Sequence, residues 1–223
     1  MRWGGVTKVR LVELLLLEQM MVATHYALSF TAGGLLYPES LVVAEELLLV
    51  RFDWKVAIKS IQDGNLLQSR TVSTAKRKLR EVRNRLLTLS RDEIQLLAEG
   101  DRKEQKLILW LACCLKYQLL ADFARDVLRS KYLQLDLSLD RDDVDRFIEN
   151  KMIWHEELEK LATSTRTKLL TVMLRMLRES EMLSPEGIIL PPILSRKLTQ
   201  VIHEDSPEYF LLFPTAIPEQ EIH

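Results

Sequence analysis

The sequence predicts a mainly α-helical protein: a compact multi-helix domain with a few short strands. Three observations carry that prediction. Leu, Arg, Glu and Lys are abundant, while Gly and Pro number only seven each in 223 residues, a balance that favours helix and leaves little material for tight hairpins. Apolar residues recur at helical spacing along most of the chain. Capping patterns, a Ser or Asp followed three residues later by an acid, punctuate that periodicity. With 47% hydrophobic and 28% charged residues, the chain can bury a substantial core. The expected organisation is an N-terminal extension over 1–22, an N-terminal helical lobe over 23–100 that holds a basic helix, and a C-terminal helical lobe over 101–223 with short strands.

The elements follow in order. Residues 1–22 carry Gly4, Gly5 and the Leu-rich "VRLVELLLLEQMM". Glu13 and Glu18 interrupt that run, which is far short of the ~20 apolar residues of a membrane span. It is either an added packing helix or the product of an upstream start, with the natural protein beginning at Met20 or Met21. "THYALSFTAGG" reads as an extended or turn-like entry closed by Gly33 and Gly34. Pro38 and Glu39 open a helix whose stripe is Leu41, Val42, Ala44, Leu47 and Leu48. Asp53 caps a short helix with Trp54, Val56, Ala57 and Ile61, ended by "DGN" at 63–65. Thr71 or Ser73 caps the next, whose stripe is Ala75, Leu79, Val82 and Leu86.

Ser90 with Glu93 forms a capping box for a helix that stops at Gly100, and Asp101 with Glu104 repeats the device. The helix opened there contains "LILWLACCL", apolar nearly all round, and is the expected central element, with Trp110 buried in it. "LADFARDVLRSKYLQ" continues helical. "LDLSLD" reads as a short strand or a loop. Asp140 caps "RDDVDRFIENKM", and Thr163 or Ser164 caps "TRTKLLTVMLRMLRES". "MLSPEGIILPPILS" breaks helical periodicity with Pro185, Gly187, Pro191 and Pro192. A last helix is expected over about 193–202, and "EYFLLFP" is a candidate terminal strand. A helical pair followed by two short strand-like segments loosely resembles winged-helix lobes.

Catalytic chemistry leaves no local signature. His25, His155, His203 and His223 have no second metal ligand at a recognised spacing, and "WHEELEK" lacks the second His of a zinc-protease helix. The acids of "DRDDVDRFIEN" lack the Gly and terminal Glu of a calcium loop and suit a solvated helix N-terminus. No nucleophile elbow, Walker loop or dinucleotide fingerprint occurs. Cys113 and Cys114 are adjacent, about 100° apart on a helix, and fit buried thiols in a reducing cytosol. The expectation is a cytoplasmic, non-enzymatic protein with no catalytic residues, no metal, no cofactor and no membrane partner.

Charge is the informative feature. Between Arg70 and Arg85 stand seven Lys or Arg residues and one acid, Glu81, in a chain whose formal net charge is −1. From Asp136 to Glu159 nine acids outweigh three bases. On the basic helix Lys76, Arg80 and Arg83 form one file; Arg77 lies with Asn84 on one flank, Lys78 with Arg85 on the other. Either this helix faces the acidic stretch and the two neutralise each other, or its cations bind phosphate. A second helix offers a polar file of Ser164, Lys168, Thr171, Arg175 and Arg178, opposite Leu169, Met173, Met176 and Leu177. Hydroxyls interleaved with cations suit phosphate contacts, and Ser164 and Thr165 stand at a helix N-terminus whose free N–H groups favour an anion. The candidate nucleic-acid-binding residues are Arg70, Lys76, Arg77, Arg80, Arg83, Lys168, Arg175 and Arg178.

The order "SFTAGGLLYPES", Trp54, "NLLQSRTVSTAKR", "LLADF" with "VLRSKY", and "STRTKLL" resembles the BrxA family of bacteriophage-exclusion (BREX) defence systems, over roughly residues 26–213. The family typically starts close to "YALSFTAG", which makes the first 22 residues look extraneous. The resemblance implies a mainly helical, non-enzymatic, cytoplasmic protein related in fold to the antitermination factor NusB. It implies binding of double-stranded DNA without strong sequence preference, beside other BREX proteins: a DNA methyltransferase, a large ATPase and a phosphatase-like component. Alternatives are a protein–protein adaptor whose basic helix docks on an acidic surface, and an RNA-binding role by NusB-like analogy.

Overall fold

The computed structural model describes residues 25–216. The Leu-rich segment, the start at Met20 or Met21 and the final residues with His223 lie outside the described residues. After a short 3-10 turn at Ser29–Ala32, the described chain runs through α1 (Tyr37–Leu49), α2 (Trp54–Asp63), α3 (Val72–Leu86), α4 (Arg91–Glu99) and α5 (Arg102–Lys116). The second half holds α6 (Gln118–Phe123), a π-helical turn at Ala124–Arg129, α7 (Ser130–Leu133), α8 (Arg141–Met152), α9 (Glu156–Glu159), α10 (Thr163–Glu179) and α11 (Arg196–Asp205).

The caps behave as their residues dictate. Asp53 accepts from the N–H groups of Lys55 and Val56, and Thr71 accepts from that of Thr74. Ser90 with Glu93, Asp101 with Glu104 and Asp140 with Asp143 each close a full capping box. α10 differs from expectation. Its N-cap is Ala162, with no side-chain cap, because Thr163 and Ser164 are already inside the first helical turn.

α5 is the centre. Leu107 through Cys114 are all buried, and α1, α3, α4 and α10 pack around it. Trp110 is fully buried, and its indole N–H donates to the Leu212 carbonyl at 2.8 Å. Burial pushes the Cys113 thiol up to about 11 and the Cys114 thiol well above its ordinary range, so both stay protonated and inert. α5 and the helical run that follows bend by 114° at Tyr117. Among the described residues no single helix is long and apolar enough to cross a membrane.

Two strand expectations change. "EYFLLFP" is no strand: Pro207–Leu212 winds into a 3-10 helix. Pro207 fixes φ for its first turn, and Phe210, Leu212 and Phe213 are all buried against the core. "LDLSLD" meets the Pro-rich segment through one isolated antiparallel bridge, Ser138 with Ile188, and the Pro-rich segment folds on itself through another, Leu183 with Ile189. Gly187, at φ +87°, turns the chain there; a Cβ would stand 2.8 Å from the Leu139 carbonyl oxygen. The last helix begins at Arg196, after its Ser195 cap, and not at Ile193, which is exposed behind Pro191 and Pro192.

Candidate nucleic-acid interface

α3 divides its charge in two. Leu79, Val82 and Leu86 are buried, as their spacing requires, with Ala75 half-buried. Lys78 turns towards α1 and pairs with Glu39 at 2.6 Å. Arg85, 1% exposed, pairs with Glu81 at 2.9 Å. Five of the seven cations remain: Arg70, Lys76, Arg77, Arg80 and Arg83 are all exposed, and none makes a salt bridge to a described carboxylate. They cover the outward arc of the helix and the position just before its Thr71 cap.

The acidic stretch does not neutralise them. Asp136 and Asp143 pair with Lys131, Asp143 also with Arg146, and Asp145 and Glu149 with Arg166. Glu156 pairs with Lys160. Each of these cations comes from the C-terminal half of the chain. The alternative in which α3 and residues 136–159 neutralise each other finds no ion pair among the described residues: the paired acids of that stretch take their cations from nearby segments and from α10.

On α10, Ser164, Lys168, Thr171, Arg175 and Arg178 are exposed along one file, while Leu169, Met173, Met176 and Leu177 are buried behind them. Arg175 leans on Glu179, with Nε 3.5 Å from Oε1. Lys168 and Arg178 make no salt bridge to a described carboxylate.

A polar chain, buried at Glu81, Arg85 and Tyr117, connects the two helices. The hydroxyls of Ser29 and Tyr117 share a hydrogen bond of 3.0 Å, and Tyr117 donates to Glu81. Glu81 holds Arg85, whose Nη1 donates to the Gly34 carbonyl at 2.7 Å. On the other side of the same turn, the Leu35 N–H donates to Glu179 of α10 at 2.5 Å. Burial and donation to Glu81 push the Tyr117 hydroxyl up to about 12, so it remains a donor at neutral pH. The Gly33–Gly34 turn is thus tied to α3 through Arg85 and to α10 through Glu179. Lys78 and Arg175 line a single cleft over it.

Helical spacing set Lys78 and Arg85 on a flank of their own, outside the candidate binding residues, but did not say what holds them there. A Glu four residues before an Arg, as Glu81 stands to Arg85, was the available signal for an internal pair. His155 stands at the N-cap position of α9, makes no side-chain cap and stacks on Tyr26 with ring centroids 3.9 Å apart. Among the described residues no group of three or more His, Cys, Asp or Glu could hold a metal ion.

Residues 24–206 match the family model described as BrxA. The chain belongs to the BrxA family. It is 30% identical over 148 residues to the BREX protein BrxA of Escherichia coli O9:H4 (strain HS), covering 66% of this chain and 69% of that protein. It is 29% identical over 161 residues to the BREX protein BrxA of Paramagnetospirillum magneticum (strain ATCC 700264 / AMB-1), covering 71% of this chain and 79% of that one. In fold it matches the crystal structure of an uncharacterized protein from Magnetospirillum magneticum, with a TM-score of 0.69 at 23% identity, over 84% of this chain and 97% of the other. Membership ties the chain to BREX phage defence. The stretch that matches the BrxA model contains both α3 and α10.

Proposed function

We propose that this BrxA-family chain is a non-enzymatic DNA-binding component of a BREX phage-defence system, and that it grips duplex DNA through phosphates. The observation that carries the reading is the exposed arc of Lys76, Arg77, Arg80 and Arg83, none of which is paired with a described carboxylate. Cations at i, i+3 and i+4 repel one another by a few tenths of a kcal/mol per pair, a cost that a polyanion opposite them removes. Arg suits phosphate because its planar fork can donate two hydrogen bonds at once.

α10 adds a second strip. Lys168, Arg175 and Arg178 stand among the hydroxyls of Ser164 and Thr171, the mixture that phosphate-positioning surfaces use. A chain of net charge −1 binds DNA only if its cations are segregated, and these two helices segregate them. Such contacts fix position without reading bases, so the affinity is broad in sequence and steep in salt. The partners in this reading are double-stranded DNA and the other proteins of the system, a methyltransferase, an ATPase and a phosphatase-like component. Gel-shift titrations with two duplexes of unrelated sequence, each at two salt concentrations, test it. Similar affinities that both fall steeply with salt support the reading; absence of binding at low salt refutes it.

A further inference from the structure

We infer that the cleft over the Gly33–Gly34 turn is a phosphate-binding site, with Arg102 of α5 as its principal cation, and that it joins the α3 and α10 strips into one track. The inference rests on the DNA-binding reading for the source of the phosphate, but the site itself stands on its own geometry.

The cleft is open to solvent and has a volume of about 540 Å3. Its walls come from separate elements: Lys78 from α3, Arg102 and Lys106 from α5, and Arg175 from α10, with Gly33 and Gly34 among the lining residues. Two carboxylates also line it, Glu39 and Glu179, which leaves a formal excess of two positive charges. Neither carboxylate is free to repel an anion fully. Glu39 accepts from Lys78 at 2.6 Å, and Glu179 accepts from the Leu35 N–H at 2.5 Å. Lys106 is committed to Glu181 at 2.6 Å, outside the lining. Arg102 is exposed and makes no salt bridge to a described carboxylate, and Arg175 has only the 3.5 Å contact with Glu179.

The backbone adds to the charge. α1 starts at Tyr37 without a side-chain cap, since its N-cap residue is Leu36. Tyr37, Pro38 and Glu39 of that first turn line the cleft, so the positive end of a 13-residue helix opens into it. Cations from three helices and an uncapped helix start together make a surface that favours a phosphate. Two sources can supply that group: the DNA backbone, as it passes between Lys78 of α3 and Arg175 of α10, or a free phosphate compound.

The test uses the full chain and the variants Arg102→Ala and Arg102→Lys. Duplex DNA is titrated at four salt concentrations, and inorganic pyrophosphate is titrated by calorimetry. If the DNA backbone occupies the cleft, Arg102→Ala flattens the slope of log affinity against log salt by ~0.9, and Arg102→Lys restores most of it. Both variants should melt with the parent, since the side chain is exposed. If a free phosphate compound is the ligand, the DNA slope is unchanged, but pyrophosphate binds the parent and not Arg102→Ala. A steep DNA slope shared by parent and Arg102→Ala, with no pyrophosphate binding to either, overturns the site and leaves the DNA-binding reading intact. A parent that ignores DNA while losing pyrophosphate binding on Arg102→Ala overturns that reading and keeps the site.

Discussion

Arg85 donates a hydrogen bond to the carbonyl oxygen of Gly34 at 2.7 Å from a position that is 1% exposed. Its Nε is held by Glu81, and Glu81 in turn accepts from Tyr117. A buried guanidinium is costly unless charge and hydrogen bonds compensate it. Here the compensation fixes the turn that α3 and α10 share. Arg85→Met should therefore lose ~3–5 kcal/mol, because Glu81 is left as an uncompensated buried charge. Urea melts of the single variant and of Arg85→Met with Glu81→Leu check this. The double variant should recover much of the loss, and equal losses in both would show that the pair is not what holds the turn.

Gly34 has a steric reason to be glycine. A Cβ there would stand 2.1 Å from Oε2 of Glu179, the oxygen that accepts from Leu35. Gly34→Ala should push Glu179 off that N–H and cost roughly 1.5–3 kcal/mol, the range for a charged hydrogen bond. Glu179→Ala removes both the bond and the clash. The double variant should then be little worse than Glu179→Ala alone, and additive losses would contradict the steric account.

Trp110 tests the core. Trp110→Ala should destabilise by ~3–5 kcal/mol through lost burial and a cavity. Trp110→Phe keeps most of the volume but leaves the Leu212 carbonyl without its donor, so it should cost about 1–3 kcal/mol. Thermal melts that rank the three proteins otherwise would show that the 3-10 helix over 207–212 does not lean on α5 as described.

Glu93 predicts a pH dependence. Burial pushes its carboxyl up to about 7, with Asp205 adding repulsion, and its Oε1 has no hydrogen-bond partner. An unfolded Glu titrates near ~4.3. Between those values the folded state holds a proton that the unfolded state has released, so this group's contribution is full below about pH 4.3 and is lost as pH rises through 7. Glu93→Gln keeps an oxygen for the Ser90 N–H, which donates to Glu93 at 2.8 Å. It should be more stable than the parent by about 1–3 kcal/mol at pH 8, and the advantage should shrink towards pH 4.5. Urea melts at both values check it; a pH-independent difference would contradict it.

Helices and caps were legible because their signals are local. The boxes at Ser90 and Asp101, the cap at Asp140 and the stripe of Leu79, Val82 and Leu86 need only nearby residues. The 3-10 helix at Pro207 was not legible, because its cause is a distant surface: Phe210, Leu212 and Phe213 fold inward onto a core the local pattern cannot display. The outward file of the basic helix was legible from its spacing, but the partners that hold its other flank were not. Which cations turn inward depends on Glu39, 39 residues away from Lys78, and on the Gly34 carbonyl, 51 residues from Arg85. Arg102 carries no local signal of its own, since only the folded chain brings it into one cleft with Lys78 and Arg175.

The central claim is that the outward cations of α3 touch DNA phosphates. Its most direct test is the slope of log affinity against log salt for duplex DNA, measured for the parent and for the triple variant Lys76→Ala, Arg80→Ala, Arg83→Ala. If all three contact phosphate, the slope should flatten by up to ~2.7 and affinity should fall for every sequence tested. Stability should hardly change, because the buried stripe of Leu79, Val82 and Leu86 is untouched. A triple variant that binds duplex DNA with the parent's affinity and the parent's slope would contradict the account.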